Sequence, residues 1–275
     1  MKNINNIPTA SYGILQQEIS MSALDEAAEQ IRNLGYAILD SGYIVSELQT
    51  LSEEFDKMQQ QYVKTYGLNT LRNVNEQHTI RSPLLHGGEL FLNLALNENL
   101  LSLLKKLIPG KFILNQQNGI INPPQETYDQ GAWHRDIPYQ HFVSTKTLGV
   151  NALFCVDDFN IENGGTFVLP ATHKSEAFPS DAYIQNNATQ VEAKAGSFIV
   201  LDCMIYHAGG LNKTNSARRA VNQVFNIPYF KQQINIPKNI ESTNLSEESK
   251  DILGFNYAEP VSISDYLSKR KGKAC

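Results

Sequence analysis

The stretch "LGVNALFCVDDF" (residues 148–159) is a short apolar run of strand-favouring residues in which Asp157 and Asp158 precede the final phenylalanine. Turn-forming segments such as "NIENGG" (160–165) and "NKTNSA" (212–217) separate it from similar runs. Those runs are "FILNQQNGIIN" (112–122), "GAWHRD" (131–136), "GGTFVLPATH" (164–173), "GSFIVLDCMIYHA" (196–208) and "RRAVNQVFNIPYF" (218–230). From Lys111 onward this pattern predicts an antiparallel sandwich or barrel.

The first third of the chain is predicted to be mainly helical. Residues 22–34, "SALDEAAEQIRNL", place apolar residues at helical spacing between Ser22, which can cap a helix, and Gly35, which can end one. Residues 68–91 are polar and mixed and yield no predicted element. The other predicted elements are a strand at 36–40, a helix with an apolar stripe from Ile44 to Tyr62, a helix at 97–108 and a weakly helical segment at 245–255.

No obvious linker separates the helical part from the strands. We therefore expect a single domain over residues 1–275, mainly β with helices (α+β), in which helices pack on a β-sandwich core. Residues 111–230 form the core in this interpretation, and residues 1–12 form a flexible tail.

Composition excludes several classes of protein. The chain of 275 residues is 41% hydrophobic and 19% charged, which is ordinary for a folded globular protein. A net charge of -5 argues against nucleic acid as the main partner. The chain has no apolar run of membrane-spanning length and no apolar signal at its start, so we expect a cytoplasmic protein without a membrane partner. The chain has an odd number of cysteines, which are Cys155, Cys203 and Cys275, and no CxxC spacing occurs among them. This pattern argues against both a disulfide framework and a zinc site with thiolate ligands.

A metal site is suggested by His134 and Asp136. Residues i and i+2 of a strand point to the same side, so an extended "AWHRD" directs both side chains into the sandwich. His207, near the end of another apolar run, is the best candidate for a third ligand, and two histidines with one carboxylate form the facial triad of non-haem Fe(II) oxygenases. From the residues alone, a surface ion pair for His134 and Asp136, and a core or turn histidine for His207, remain alternatives.

An arginine pair follows on the next run. The planar guanidinium matches a carboxylate, so an inward-facing arginine there could bind the far carboxylate of a dicarboxylate cosubstrate. Arg218 and Arg219 are adjacent, so only one can face inward in a strand. The alternative is that both are exposed.

The motifs "GYAILDSGYI" (35–44), "WHRD" (133–136), "ENGGTFVLPATHK" (162–174) and "YHAGGLNKTNSARRAV" (206–221) together resemble the phytanoyl-CoA dioxygenase (PhyH) family of Fe(II)/2-oxoglutarate-dependent oxygenases. The resemblance spans about residues 35–230. It implies a double-stranded β-helix, a jelly-roll of the cupin type. It also implies that His134, Asp136 and His207 are the catalytic iron ligands and that Arg218, at the family's spacing from the distal histidine, anchors 2-oxoglutarate.

Further polar contacts to the cosubstrate are expected from neighbouring strands. The candidates are Asn115, Gln117, Thr147 and Thr166, and Gln117 is preferred because it lies in the middle of a strand just before the iron motif. A solvent-facing strand glutamine is the alternative for Gln117. The pocket walls are expected among Trp133, Tyr139, Phe142 and Tyr206, with ordinary core packing as the alternative for these aromatic residues.

The resemblance implies an oxygenase that uses Fe(II), 2-oxoglutarate and O2 to hydroxylate an unactivated C–H bond of a small metabolite, with succinate and CO2 as co-products. Asp136 favours oxygenation over halogenation, because related halogenases have a small residue in place of the carboxylate. Two alternatives remain: a metal-dependent jelly-roll enzyme that does not use 2-oxoglutarate, and a non-catalytic jelly-roll binding protein.

The substrate is not defined by the sequence. Amino acids, acyl compounds and intermediates of secondary metabolism are all candidates. The polar span 72–88 precedes the sheet, and its Arg72 and Arg81 could meet an anionic or polar substrate, or the span could be a solvated loop.

Overall fold

A computed structural model describes residues 7, 8, 10–86, 88–137 and 143–271. The helices are α1 (Ala23–Leu34), α2 (Val45–Tyr66), α3 (Leu68–Asn73), α4 (Glu89–Ala95), α5 (Glu98–Leu107), α6 (Asp181–Asn187), α7 (Glu247–Ile252) and α8 (Ile263–Lys271). The strands are β1 (Tyr36–Asp40), β2 (Thr79–Arg81), β3 (Ile113–Asn122), β4 (Gly149–Cys155), β5 (Phe167–Val168), β6 (Thr189–Gln190), β7 (Ser197–Asp202), β8 (His207–Ala208) and β9 (Arg218–Asn226).

The strands form two antiparallel sheets. The larger sheet has the order β1-β7-β4-β9-β3-β2, and the smaller has the order β6-β5-β8. Val168 of the smaller sheet packs with Ile199, Leu201 and Ala220 of the larger one, so the two sheets face each other across a buried cluster. The predicted antiparallel core with helices packed on it is confirmed.

The other face of the larger sheet packs against the helices. Phe154 and Phe225 of this face join one buried cluster with Ile31 of α1, Phe55 of α2 and Leu104 of α5. Full burial of each such side chain stabilises the fold by roughly 1.5–3 kcal/mol. Strand residues therefore alternate between a helix face and a face that we call the site face, which looks toward the smaller sheet.

The long helices match their predictions, whereas several short elements do not. Ser22 accepts a hydrogen bond from the Asp25 amide, and Gly35 is left-handed with φ 86°, so α1 begins and ends as expected. The predicted run at 196–208 is two strands, because β7 ends at Asp202 and a turn closes with the Ile205 amide donating to the Asp202 carbonyl. The mixed segment 68–91 contains α3, β2 and the start of α4, which are too short to show a period.

Among the described residues, no helix is both long enough and apolar enough to cross a membrane.

Candidate metal centre

His134, Asp136 and His207 meet in one place. One potential ligand atom from each of the three side chains lies within 4.8 Å of the others. Asp136 Oδ1 is 3.7 Å from His207 Nε2, and the two imidazole rings have centroids 4.3 Å apart. His207 is buried, at 6% exposed, whereas His134 and Asp136 are half-buried, so the cluster lies at the border of the protein interior rather than on the open surface.

Backbone pairing brings the three residues together. His134 and His207 form an antiparallel bridge in which each amide donates to the other's carbonyl, at 2.9 and 3.1 Å. The Asp136 amide donates to the Cys203 carbonyl at 3.1 Å, so the segment remains extended through Asp136. The i and i+2 side chains therefore share a side although "GAWHRD" is not a regular strand.

Both histidines present the same nitrogen to the cluster. His134 Nδ1 lies 2.8 Å from the Ala132 carbonyl oxygen, and His207 Nδ1 lies 3.1 Å from that of Ile205. Because a carbonyl can only accept, Nδ1 carries the hydrogen and Nε2 keeps its lone pair. Burial lowers the pKa of His207, which keeps its ring neutral at neutral pH. Two imidazoles and a carboxylate, with each Nδ1 tied to a carbonyl, fit a divalent transition metal.

Asn151 supports this cluster, and its role was not predicted. Its side-chain amide donates to Asp136 Oδ2 at 2.9 Å, which leaves Oδ1 directed at His207. Asn151 is 2% exposed in the middle of β4. A polar residue inside the apolar run 148–156 was the sequence signal for it, because a buried amide needs a partner.

Arg135 ties the metal segment to a neighbouring turn. The side chain is buried, donates to the carbonyls of Thr172, Ser175 and Glu176, and stacks on the Tyr206 ring with its guanidinium carbon 3.9 Å from the centroid. It points away from the cluster, as expected from its position between the two ligands. It thereby connects His134 and Asp136 to the turn that follows β5.

Arg218 and Arg219 face opposite sides of β9. Arg219 pairs with Asp157 and Asp56, at 2.7 Å for each ion pair, and so connects the sheet to α2. Arg218 is 3% exposed and faces the site side, where it donates to the Gly164 carbonyl at 2.6 Å and to the Tyr128 hydroxyl at 3.3 Å.

Arg218 is a buried cation without an anionic partner in the described part of the chain. No carboxylate of the described residues forms an ion pair with it, its Nε has no hydrogen-bond partner among them, and its guanidinium carbon lies 3.9 Å from the centroid of the Phe159 ring. Burial lowers its pKa. A buried charge is costly unless paired, so this position favours a bound anion. The alternative that both arginines are exposed is wrong.

Gln117 lies on the helix face of β3, which corrects its expected placement. Its amide oxygen accepts from the Leu84 amide at 2.8 Å, and its nitrogen donates to the Phe91 carbonyl and to Gln223 Oε1. A β-bulge between Leu114 and Gln116 shifts the register of β3 against β9, so the residues that follow change face. Its hydrogen-bonding capacity is used within the core.

The other three residues that were predicted to bind the cosubstrate lie in different parts of the structure. Thr147 donates its hydroxyl to Asp202 Oδ2 at 3.2 Å. Asn115 is bonded to the Lys231 carbonyl. Thr166 is buried immediately before β5, the strand that pairs with the His207 strand. No side-chain hydrogen bond joins any of these three to His134, His207 or Arg218.

The site face also carries asparagines whose side-chain oxygens are buried and unused. Among the described residues, no hydrogen bond reaches the side-chain oxygens of Asn122, Asn151, Asn222 and Asn226. Asn122 is paired in register with Arg218. An unsatisfied buried acceptor costs about 1–3 kcal/mol, so this polar lining is suited to hydrogen bonds with a bound molecule.

Two of the predicted pocket-wall residues and one arginine of the polar span 72–88 can be located in the structure. Trp133 lies beside Phe167 with centroids 6.4 Å apart, and Tyr206 packs under Arg135. Arg81 is bonded to Glu76 and is therefore engaged within the polar span 72–88. Tyr139 and Phe142 lie outside the described residues, as do Cys275 and residues 1–6 and 9 of the predicted tail.

Known proteins are similar to this chain over the segments that form the sheets and the His134–Asp136–His207 cluster. The family model described as Phytanoyl-CoA dioxygenase (PhyH) matches residues 31–220. The chain belongs to the phytanoyl-CoA dioxygenase family. The PhyH family lies within the Fe(II)/2-oxoglutarate-dependent oxygenases, and this member has the HxD…H triad of that superfamily.

A curated relative is similar to this chain in sequence, and two solved structures are similar to it in fold. The uncharacterized protein Rv1501 of Mycobacterium tuberculosis is 27% identical over 253 residues, covering 89% of this chain and 92% of its own. EctD from S. alaskensis, solved with 2-oxoglutarate and 5-hydroxyectoine, superposes with a TM-score of 0.64 at 17% identity over 77% of this chain and 79% of its own. The epimerase SnoN, solved with Fe3+, alpha ketoglutarate and nogalamycin RO, gives a TM-score of 0.58 at 17% identity over 82% and 92%. The jelly-roll fold is thus confirmed.

Proposed function

We propose that this PhyH-family protein is an Fe(II)- and 2-oxoglutarate-dependent dioxygenase that hydroxylates, or otherwise oxidises, an unactivated C–H bond of a small metabolite. The carrying observation is the convergence of His134, Asp136 and His207 with both Nε2 atoms free. Succinate and CO2 would be the co-products.

The residues of the chain have distinct roles in this proposal. His134, Asp136 and His207 would hold the metal from one side, and Asn151 would orient Asp136 through its second oxygen. Arg218 would bind the distal carboxylate of 2-oxoglutarate, which would supply the buried cation with its missing anion. Iron, 2-oxoglutarate and O2 supply the oxidising chemistry, and the protein supplies position and a shielded pocket.

The alternatives have less support. An enzyme without 2-oxoglutarate has no evident use for a buried Arg218 that lacks an anion. A halogenase would need a small residue at position 136, where the chain has Asp136. A non-catalytic binding protein has no evident need for two histidines whose tautomers are both fixed for coordination.

The proposed reaction at the C–H bond is a hydroxylation or another oxidation. SnoN is named as an epimerase and EctD was solved with a hydroxylated compound, so the fold accommodates more than one result. The unsatisfied asparagine oxygens on the site face support a polar substrate with hydroxyl or amine donors.

Succinate formation tests the proposal. The purified protein with Fe(II), 2-oxoglutarate and O2 should release succinate, and a suitable polar metabolite should stimulate the release. Arg219→Ala should retain 2-oxoglutarate turnover, because Arg219 faces α2, whereas Arg218→Ala should lose it. Turnover that survives Arg218→Ala, or is absent from the wild type with every metabolite, would contradict the proposal.

A further inference from the structure

We propose that Tyr128 is a cosubstrate-binding residue that, together with Arg218, holds the distal carboxylate of 2-oxoglutarate. The inference rests on the proposed function but concerns a residue that neither the triad nor the family spacing indicates. It is carried by three observations: the position of the phenol, its unused hydrogen and the glycine that makes room for it.

The Tyr128 hydroxyl lies beside the guanidinium of Arg218. Its oxygen accepts from Arg218 Nη2 at 3.3 Å, so the two groups share one position on the site face. Tyr128 precedes the segment that carries His134, and Arg218 opens β9. The pair therefore brings together the loop before the metal segment and the strand that follows the third ligand.

The Tyr128 hydroxyl and Arg218 Nε are both hydrogen-bond donors without an acceptor among the described residues. Tyr128 uses its oxygen as an acceptor, and no acceptor among the described residues takes its hydroxyl hydrogen. Arg218 Nη1 donates to the Gly164 carbonyl, whereas Arg218 Nε is buried without a partner. Burial raises the pKa of Tyr128, so the phenol keeps its hydrogen at neutral pH. A cation beside a phenolic donor, with no carboxylate of its own, matches an anionic ligand with several acceptor oxygens.

Gly209 provides the space for the ring. A Cβ placed on Gly209 would be 2.0 Å from the Tyr128 hydroxyl oxygen and 2.8 Å from the ring carbon that bears it. The backbone of Gly209 does not have a positive φ, so room for the phenol, rather than backbone conformation, requires glycine here. Because Gly209 follows His207 by two residues, the phenol sits next to the strand of the third metal ligand.

Two roles for Tyr128 make opposite predictions. If the phenol donates to the carboxylate, removing its oxygen weakens binding of 2-oxoglutarate. If the phenol only covers Arg218 until the cosubstrate displaces it, removing the oxygen leaves binding unchanged or tightens it. The available hydroxyl hydrogen favours the first role.

The test is an anaerobic titration of the Fe(II)-loaded protein, followed by the visible absorption of the bound chelate. It compares the wild type, Tyr128→Phe and, as a control, Tyr43→Phe, whose phenol lies on the helix side against Phe154. The ligands are 2-oxoglutarate and 2-oxopentanoate, which has a methyl group in place of the distal carboxylate.

Tyr128→Phe should raise the Kd of 2-oxoglutarate about tenfold, since hydrogen bonds to charged groups contribute about 1.5 kcal/mol or more. The Kd of 2-oxopentanoate should change less than about twofold, and Tyr43→Phe should alter neither. An unchanged or lower Kd for 2-oxoglutarate, or an equal rise for both ligands, would overturn the role of Tyr128. Failure of the wild type to bind 2-oxoglutarate at all would instead overturn the proposed function, and this inference with it.

Discussion

Asn151 holds Asp136, a proposed metal ligand, without being a ligand itself. Its amide holds Asp136 Oδ2 at 2.9 Å from within a buried strand. Asn151→Ala should weaken Fe(II) binding about 10–100-fold, the usual cost of losing a partner of a metal ligand. Anaerobic metal titration checks this, with Asn222→Ala as the control on the same face. Equal affinities for wild type and Asn151→Ala would remove Asn151 from the metal site.

The role of Gln117 depends on the face of β3 on which its side chain lies. Gln117→Leu keeps the volume but leaves the Leu84 amide, the Phe91 carbonyl and Gln223 short of partners. The free energy of unfolding should fall by about 1–3 kcal/mol, while the Kd of 2-oxoglutarate stays unchanged. Chemical denaturation and ligand titration measure the two quantities, and the exposed Gln49→Leu is the control. A large loss of cosubstrate affinity at unchanged stability would restore Gln117 to the binding site.

At the scale of elements, the site depends on short segments fixed by specific contacts. Arg135 joins the metal segment to the turn at 172–176 through three carbonyls. Arg135→Ala should therefore speed amide hydrogen exchange in this turn, measured by mass spectrometry of its peptides. Lys174→Ala is the matched control, because Lys174 is exposed in the same turn. Unchanged exchange in Arg135→Ala would show that the turn is fixed by other contacts.

Element length also explains what the sequence could predict. The helices α1, α2 and α5 extend over enough turns to show an apolar period, and α1 has recognisable caps. The strands β5 and β8 contain two residues each, so no periodic pattern exists to find. The bulge in β3 has no sequence signal either, and it moved Gln117 to the helix face. The prediction that the side chains of His134 and Asp136 lie on the same side was confirmed, because an i, i+2 pair requires only an extended backbone for this.

At the scale of the whole molecule, we propose that residues 1–275 form one domain. The meeting of His134, Asp136 and His207 could be anticipated because the chain has only six histidines and because two histidines with one carboxylate are a known set of iron ligands. Tyr128 and Asn151 could not, since contacts between distant segments depend on the complete fold. Predicting them requires knowing which loop reaches β9 and which strand lies behind Asp136.

Alkylation of two buried cysteines should report the global unfolding of the protein. Cys155 and Cys203 are both fully buried, and burial raises the pKa of Cys155 to about 12 and that of Cys203 well above its usual value. Because the thiolate is the reactive form, neither should be alkylated by iodoacetamide at pH 8 in the native protein, and both should react in denaturant. Peptide mass spectrometry distinguishes the two states. Rapid native labelling of either residue would contradict the burial of these strands.

The most direct test of the central claim is an anaerobic titration of the wild type and of His207→Ala with Fe(II) and 2-oxoglutarate. The wild type should develop the visible absorption band of the 2-oxoglutarate–iron chelate, and His207→Ala, lacking one of three ligands, should not. A folded wild-type protein without the band, or a His207→Ala variant with an equal one, would contradict the assignment of His134, Asp136 and His207 as an iron site.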